Sequence, residues 1–133
     1  MSALADDTFR SGDFTFVIET GVACVKKYNG SSASVTVPSK VEYDGVTYKV
    51  RNIHQDAFKN CTTIQKLVLP ETVNRIGKQA FANCTSLNSI TINGDLNGVY
   101  TVDNTFYNIG ANSDYLNVTF GPEVTAIPSN LFD

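Results

Sequence analysis

The hydrophobic positions of residues 50–96 repeat every 23 positions. Residues 50–73, VRNIHQDAFKNCTTIQKLVLPETV, align with residues 73–96, VNRIGKQAFANCTSLNSITINGDL. Both segments carry an Ile, an Ala-Phe pair, an Asn-Cys-Thr triplet and three aliphatic residues at the same positions, whereas most of the polar residues between them differ. A framework that recurs while its polar positions vary predicts a repeating scaffold.

Each repeat is predicted to form one turn of a solenoid. Apolar residues at L-x-L spacing, within a period of roughly 20–29 residues, are typical of leucine-rich-repeat coils. Residues 66–69, KLVL, are predicted to form a short strand whose alternate side chains face inward. Pro70 ends this strand because it has no N–H for pairing. The second apolar segment, which contains Phe58 or Phe81, is predicted to close the coil as a short helical or 3-10 return segment.

The pattern continues on both sides of this pair in weaker form. Downstream, residues 115–132 place apolar side chains at the inward positions, namely Tyr115, Val118, Phe120, Val124, Ile127 and Phe132. Upstream, residues 35–41, VTVPSKV, match residues 67–73, LVLPETV. The repeat is then interrupted by a segment in which Asp44-Gly45 lies between alternating residues, and this predicts a β-hairpin.

The repeat unit matches a family pattern almost position by position. The pattern L-x-L-P-x-x-V-x-x-I-G-x-x-A-F-x-x-C-x-x-L-x-x-I reads LVLPETVNRIGKQAFANCTSLNSI at residues 67–90, and it resembles the BspA-like leucine-rich repeat. Residues 35–133 carry the resemblance, which is specific over residues 41–92 and degraded after Gly94. The resemblance implies a β-rich α/β horseshoe-type solenoid with short parallel strands. It also implies a surface or secreted protein, because members of this mostly bacterial family are associated with adhesion to host proteins and other cells.

Three regions are predicted along the chain. Residues 1–12 are predicted to be a disordered N-terminal tail. Residues 13–49 are predicted to form an antiparallel β-hairpin cap with a partial first repeat, because the first turn of a solenoid needs a cover for its apolar face. Residues 50–133 are predicted to form the leucine-rich repeats, the last of them incomplete. Candidate packing residues of the cap are Phe14, Phe16, Ile18, Cys24 or Val25, and Tyr28.

The sequence stops just after Phe132, on the Phe position of a repeat. This ending fits a fragment of a longer repeat protein, a modified cap, or an open end that pairs with another copy. Because an unpaired strand edge favours association, self-association through the uncapped C-terminal turns is one prediction.

The sequence also contains a candidate thiol or metal site. His54, Asp56 and Cys61 lie within eight residues of one another. In the repeat alignment, however, Cys61 matches Cys84, whereas the His and the Asp match residues with different chemistry. The cysteines are therefore predicted to be part of the framework, and the odd total of three cysteines does not suggest a disulfide framework. We predict no catalytic residue, no cofactor and no metal site.

Residues 93–98, NGDLNG, resemble the start of a calcium-binding loop. The twelfth position of that loop is Asn104, where the calcium motif needs a bidentate Glu. We therefore predict a polar loop between a strand and its return segment.

The charge distribution bounds the class of partner. The net charge is −3, and no run of Lys or Arg exceeds two residues. Nucleic acid is therefore excluded as an expected partner, and the absence of a long apolar stretch argues against membrane insertion. Residues 3–5, Ala-Leu-Ala, have the pattern that signal peptidases cleave, although small residues also occur there by chance. With the family resemblance, they predict a secreted or cell-surface protein whose signal peptide is not in this sequence.

The outward-facing positions of the strands are the candidate partner-binding face. Together with two tyrosines of the insertion at residues 97–115, this face comprises Thr36, Lys66, Val68, Ser89, Thr91, Asn117, Thr119, Tyr100 and Tyr107. Solenoids bind partners across such faces. The predicted function is a non-enzymatic, adhesin-like module that binds a host or cell-surface protein or glycan. The alternative is a structural spacer of a larger surface protein with no ligand of its own.

Overall fold

A computed structural model of the chain describes residues 7–96 and 105–127. Ten strands lie in these two ranges and form two sheets. The strands are β1 (Asp7–Ser11), β2 (Phe14–Glu19), β3 (Val22–Tyr28), β4 (Ser34–Thr36), β5 (Lys40–Tyr43), β6 (Val46–Ile53), β7 (Lys66–Leu69), β8 (Arg75–Ile76), β9 (Ser89–Ile92) and β10 (Asn117–Phe120).

The first sheet has the order β1-β2-β3-β6-β5, with β8 also paired to β6. Its first three strands are antiparallel, β3 and β6 are parallel, and the β5–β6 hairpin turns at Asp44-Gly45, both of which have positive φ. The predicted boundary between residues 49 and 50 lies inside β6. This strand pairs with the cap strand β3 on one side and with β8 on the other.

The prediction of a disordered tail at residues 1–12 is wrong for residues 7–11, which form β1. The ring of Phe9 stacks on Tyr43 with centroids 4.1 Å apart, and it also contacts Phe16 at 5.7 Å. Gly12 turns the chain into β2 with a φ of 59°. A segment with a single large apolar residue gives little periodic signal, which explains the error. Residues 1–6 lie outside the described residues.

The second sheet is parallel throughout and has the order β10-β9-β7-β4. Lys66 lies opposite Ser89, which is 23 positions later in the chain. The neighbouring strands are less evenly spaced, since Ser34 lies opposite Lys66 and Ser89 lies opposite Asn117. Successive coils therefore place one short strand each in a common sheet, with insertions in the first and third connections.

The core lies between this sheet and the return segments. Phe58 stacks on Phe81 with ring centroids 4.9 Å apart, and Phe81 stacks on Phe106 at 5.3 Å. Tyr28 of the first sheet extends the column, with its ring 5.4 Å from that of Phe58. Four aromatic side chains from four successive chain segments thus form one continuous stack, and it joins the N-terminal sheet to the coils.

The return segments are chains of turns, and the predicted helical or 3-10 segments are absent from residues 7–96 and 105–127. The amide N–H of Phe58 donates to the carbonyl of Ala80 in the next coil, at 2.7 Å, while the N–H of Ala57 donates locally to His54. Asp56 and Asn60 take left-handed backbone conformations, with φ of 62° and 65°. These residues prevent a continuous helix and direct every second backbone N–H towards the neighbouring coil. Half of the backbone N–H groups of residues 56–61 therefore donate to the next coil, and the other half donate within the segment.

Candidate binding surface

The outward side chains of the parallel sheet form two rows across its four strands. Strand register sets the rows, because residues paired across a ladder lie on the same face. The first row is Ser34, Lys66, Ser89 and Asn117, and the second is Thr36, Val68, Thr91 and Thr119. All seven strand residues of the candidate face therefore lie in these rows, which we call the strand face.

Alternation along each strand fixes the outward direction of these side chains. In β7 the buried Leu67 and Leu69 flank Val68, and in β9 the buried Ile90 and Ile92 flank Thr91. A shift of one residue would bury the polar set and expose the aliphatic one, so the register is strongly specified. Lys66 is the only charged residue in either row. The strand face is therefore a nearly neutral surface of hydroxyl, amide and Val side chains.

Neither tyrosine of the predicted set belongs to these rows. Tyr107 lies in the third return segment, where its carbonyl accepts the N–H of Asn83 at 2.9 Å, and its side chain is 59% exposed. Tyr100 lies outside the described residues. Tyr107 could not be placed from the sequence because the insertion before it breaks the repeat spacing.

A polar cleft missed by the sequence reasoning lies at the start of the strands. It has a volume of about 330 Å³ and is lined by Gln65, Ser86, Asn88, Asn112, Ser113, Asp114 and Tyr115. The carbonyl of Gln65 accepts the N–H groups of Asn88 and Ser89, so the cleft is continuous with the first row of the strand face. The polar residues immediately before β7 and β9, Gln65 and Asn88, are the signal that could have indicated it.

Tyr115 was predicted to occupy an inward position, and this prediction is wrong. Its side chain is 60% exposed at the edge of the polar cleft. The following strand begins only at Asn117, and its inward residues are Val118 and Phe120. The insertion before β10 shifts Tyr115 out of the repeat register and presents an aromatic ring to solvent.

A second open cavity, of about 490 Å³, lies beyond the other ends of the strands and is lined by Glu71, Asn93, Pro122 and Glu123. Nearby, the carboxylate of Asp95 accepts the N–H of Thr125 at 2.7 Å and the Thr125 hydroxyl at 2.8 Å. The backbone hydrogen bond from Thr125 holds the pKa of the Asp95 carboxyl below its ordinary value. This carboxylate therefore links one coil to the next.

His54, Asp56 and Cys61 do not form one cluster. His54 Nε2 lies 2.6 Å from Glu19 Oε1 in the N-terminal sheet. Cys61 is half-buried beside Cys84, whose thiol donates to the carbonyl of Phe58 at 3.2 Å. Residues close in sequence thus point to different neighbours, because each turn of the return segment rotates the side-chain direction.

The thiols are held in their protonated form. Burial raises the pKa of Cys24 and of Cys84 to about 12, and it also raises the pKa of Cys61. A nucleophilic cysteine needs a lowered pKa, since the thiolate is the reactive species. These thiols therefore lack the environment of a nucleophile at neutral pH.

Within residues 7–96 and 105–127, no helix has the length and apolar character to cross a bilayer.

Comparison with solved structures places this architecture among bacterial repeat proteins. A leucine-rich cell surface protein of Faecalibacterium prausnitzii aligns with a TM-score of 0.62 and 26% identity, over 96% of this chain and 31% of that one. A leucine-rich repeat protein of Bacteroides capillosus aligns with the same TM-score and identity, over 85% of this chain and 97% of that one. A leucine-rich repeat protein of T. pallidum shares the fold, with a TM-score of 0.62 at 20% identity, over 96% of this chain and 56% of that one. This chain thus spans less than a third of the F. prausnitzii protein.

A search among curated proteins finds no matching sequence. The family model described as "BspA type Leucine rich repeat region (6 copies)" matches residues 28–133, which is most of the sequence. That range contains the whole parallel sheet, the strand face and the aromatic stack. This chain belongs to the BspA-type leucine-rich repeat family.

Proposed function

We propose that this chain is a non-enzymatic, exported binding module that attaches to a protein or glycan on a cell surface through the strand face. The observation that carries the proposal is the register of the parallel sheet, which assembles side chains from four separate chain segments into two rows. These rows are continuous with the polar cleft and its exposed Tyr115. Leucine-rich repeats are a general protein-interaction fold, which supports a binding role.

The chemistry of the strand face favours an uncharged partner surface. Hydroxyl and amide groups offer hydrogen bonds in both directions, and Val68 adds an apolar contact at the centre. A face whose only charged residue is one lysine has little electrostatic attraction for a polyanion, so we do not propose nucleic acid as a partner. The proposed export rests on the likeness to the F. prausnitzii protein, which is described as a cell surface protein.

A triple variant of the strand face tests this proposal. Lys66→Glu, Thr91→Lys and Thr119→Lys change the charge and size of three positions on three strands. The matched control is Lys49→Glu, Thr47→Lys and Thr62→Lys, which makes the same substitutions at exposed positions outside the parallel sheet. Labelled protein is incubated with intact bacterial and epithelial cells, and bound protein is measured after a check that both variants melt as the wild type does.

We expect the strand-face variant to lose at least about tenfold in binding and the control to retain it, since central interface positions dominate binding energy. Pretreatment of the cells with protease or with glycosidases distinguishes a protein partner from a glycan. Equal binding by the wild type and the strand-face variant would show that the partner does not bind through the strand face.

A structural spacer is the second candidate, and the open edge of β10 favours it. Among the described residues β10 pairs only with β9, and its inward Val118 and Phe120 are only partly buried. Such an edge can accept a further coil of a longer chain, or a second copy of this chain, in continuous register. A spacer would show no cell binding in the assay above for any of the three proteins.

A further inference from the structure

Three metal-ligating side chains converge on the N-terminal sheet, away from the strand face. Glu19 ends β2, Cys24 lies in β3, and His54 follows β6 directly. One donor atom from each lies within 4.8 Å of the other two. The closest pair is His54 Nε2 and Glu19 Oε1, which are 2.6 Å apart.

Cys24 has an environment unlike that of an ordinary core thiol. Its side chain is fully buried, yet it does not belong to the main hydrophobic cluster that contains its neighbours Ala23 and Val25. The side-chain amide of Asn52 donates to its sulfur at 3.2 Å. An amide N–H donated to a buried sulfur is a contact that also occurs around metal-bound thiolates, where N–H donors to the ligand atoms tune and orient the site.

We propose that Glu19, Cys24 and His54 bind a divalent cation of the zinc type, with water completing the coordination. Sulfur, imidazole nitrogen and carboxylate oxygen are the three donor types that zinc takes in proteins, and three protein ligands with one water form a common four-coordinate site. This donor mixture is poorly suited to calcium or magnesium, which require oxygen ligands.

The site needs only side-chain adjustment to accept the ion. Bonds of about 2.0–2.3 Å at tetrahedral angles place donor atoms about 3.3–3.8 Å apart. The His54–Glu19 pair must therefore open by about 1 Å, and the widest separation must close by about 1 Å. Both side chains lie at the surface, with 31% and 38% of their areas exposed, and this allows the movement and gives the ion a path to the buried sulfur.

Binding of the ion releases one proton, from the Cys24 thiol, to water. Glu19 binds as a carboxylate, since a protein ligand must be deprotonated to hold the ion. Neutral His54 binds through a ring nitrogen that carries no proton, with the proton on the other ring nitrogen. Cys24 exchanges its thiol proton for the metal–sulfur bond, and no oxidant or reductant is involved.

The ion would tie the N-terminal sheet to the first coil. Glu19 and Cys24 belong to the β2–β3 hairpin, while His54 begins the first return segment, whose phenylalanine stacks on Tyr28. Binding to the folded chain alone shifts the unfolding equilibrium by mass action. Zinc would therefore stabilise the junction between cap and coils.

Cobalt is the spectroscopic probe for this site, because a thiolate bound to Co²⁺ gives a near-ultraviolet charge-transfer band. The full chain is stripped with chelator under reducing conditions and titrated with Co²⁺ and then with Zn²⁺. We expect one Co²⁺ per chain, a charge-transfer band that Zn²⁺ abolishes, and a higher Tm with Zn²⁺. Cys24→Ala should remove the band, and Glu19→Gln and His54→Gln should each weaken binding by at least about tenfold.

Cys61→Ser is the matched control, because it removes a partly accessible thiol outside the cluster and should leave the band unchanged. The Glu19 and His54 variants alter partly exposed side chains, so they keep the test valid even if Cys24→Ala folds poorly. A chain that gives no charge-transfer band, or a band that survives Cys24→Ala or disappears in Cys61→Ser, overturns the proposal.

Discussion

The side-chain amide of Asn83 donates a hydrogen bond to the side-chain oxygen of Asn60, at 2.9 Å. Asn108 donates in the same way to Asn83 at 3.1 Å, which makes a ladder of three amides along one corner of the coils. All three residues have positive φ, between 57° and 65°. Asn tolerates this conformation better than most residues, so the Asn-Cys-Thr motif combines a permitted backbone with a bond between coils.

Replacement of Asn83 should therefore be destabilising although the ladder is exposed. Asn83→Ala removes one donated and one accepted side-chain bond and leaves a residue with a Cβ at positive φ, for a total of about 2–3 kcal/mol in the free energy of unfolding. Asn83→Gly loses the same bonds without the backbone strain and should cost about 1 kcal/mol less. Urea unfolding measures both, and a Gly variant no more stable than the Ala variant would contradict the role of the backbone conformation.

The aromatic stack should be the largest single source of core stability. Phe81 is fully buried and stacks on Phe58 and Phe106, so Phe81→Ala should cost about 3–5 kcal/mol. Phe81→Leu retains most of the volume and should cost less than half as much. Thermal and urea unfolding give the comparison, and equal losses in the two variants would show that cavity formation is not the cause.

Buried thiols predict a loss of stability at high pH. The pKa of Cys84 is raised by burial from 9.0 to about 12, so the folded state holds this proton more tightly than the unfolded state does. Its contribution is fully present below pH 9 and is lost between pH 9 and about 12, by about 1.4 kcal/mol per pH unit. Subtraction of the profile of Cys84→Ala from that of the wild type isolates this contribution from other alkaline groups. Parallel profiles would contradict the pKa shift.

The edge of β10 that has no partner strand among residues 7–96 and 105–127 predicts self-association. Leu116 and Ile127, which precede and follow β10 in the chain, are large apolar residues with 37% and 53% exposure, so the prediction that Ile127 faces inward is wrong. Static light scattering should show dimers or larger species as concentration rises, and Leu116→Lys with Ile127→Lys should restore the monomer. Thr47→Lys with Thr62→Lys adds the same charge elsewhere and should not. A wild type that stays monomeric at millimolar concentration would count against this contact.

Local patterns were sufficient to predict the outward direction of seven of the eight residues in the strand face, all except Ser34. A side-chain period of two, anchored by buried Leu67 and Leu69, fixes which residues point outward, and the recurrence of the motif indicated the BspA-type repeat. The return segments were wrongly assigned as helical, because their periodic Phe and Ala positions also fit a short helix. The left-handed backbone conformations of Asp56 and Asn60 cannot be inferred from the pattern of apolar positions.

The other features that the sequence did not predict depend on contacts between chain segments that are distant in sequence. The Glu19–His54 pair joins residues 35 positions apart, and neither residue belongs to a recognisable motif. β1 depends on the stacking of Phe9 on Tyr43, which is visible only once the hairpin of β5 and β6 is in place. Tyr115 lies at the surface because the insertion before β10 shifts it out of the repeat register.

Site-specific photocrosslinking on intact cells is the decisive experiment for partner binding through the strand face. A photoreactive amino acid is introduced at Thr91 in the second row, and a matched chain carries it at Thr47 on the β5–β6 hairpin. Both are irradiated on intact cells, with and without excess unlabelled chain as competitor. If the partner binds the strand face, position 91 gives a discrete crosslinked species that the competitor abolishes, and position 47 gives none. Crosslinking from position 47 alone, or from neither position while the labelled chain remains bound to the cells, would contradict it.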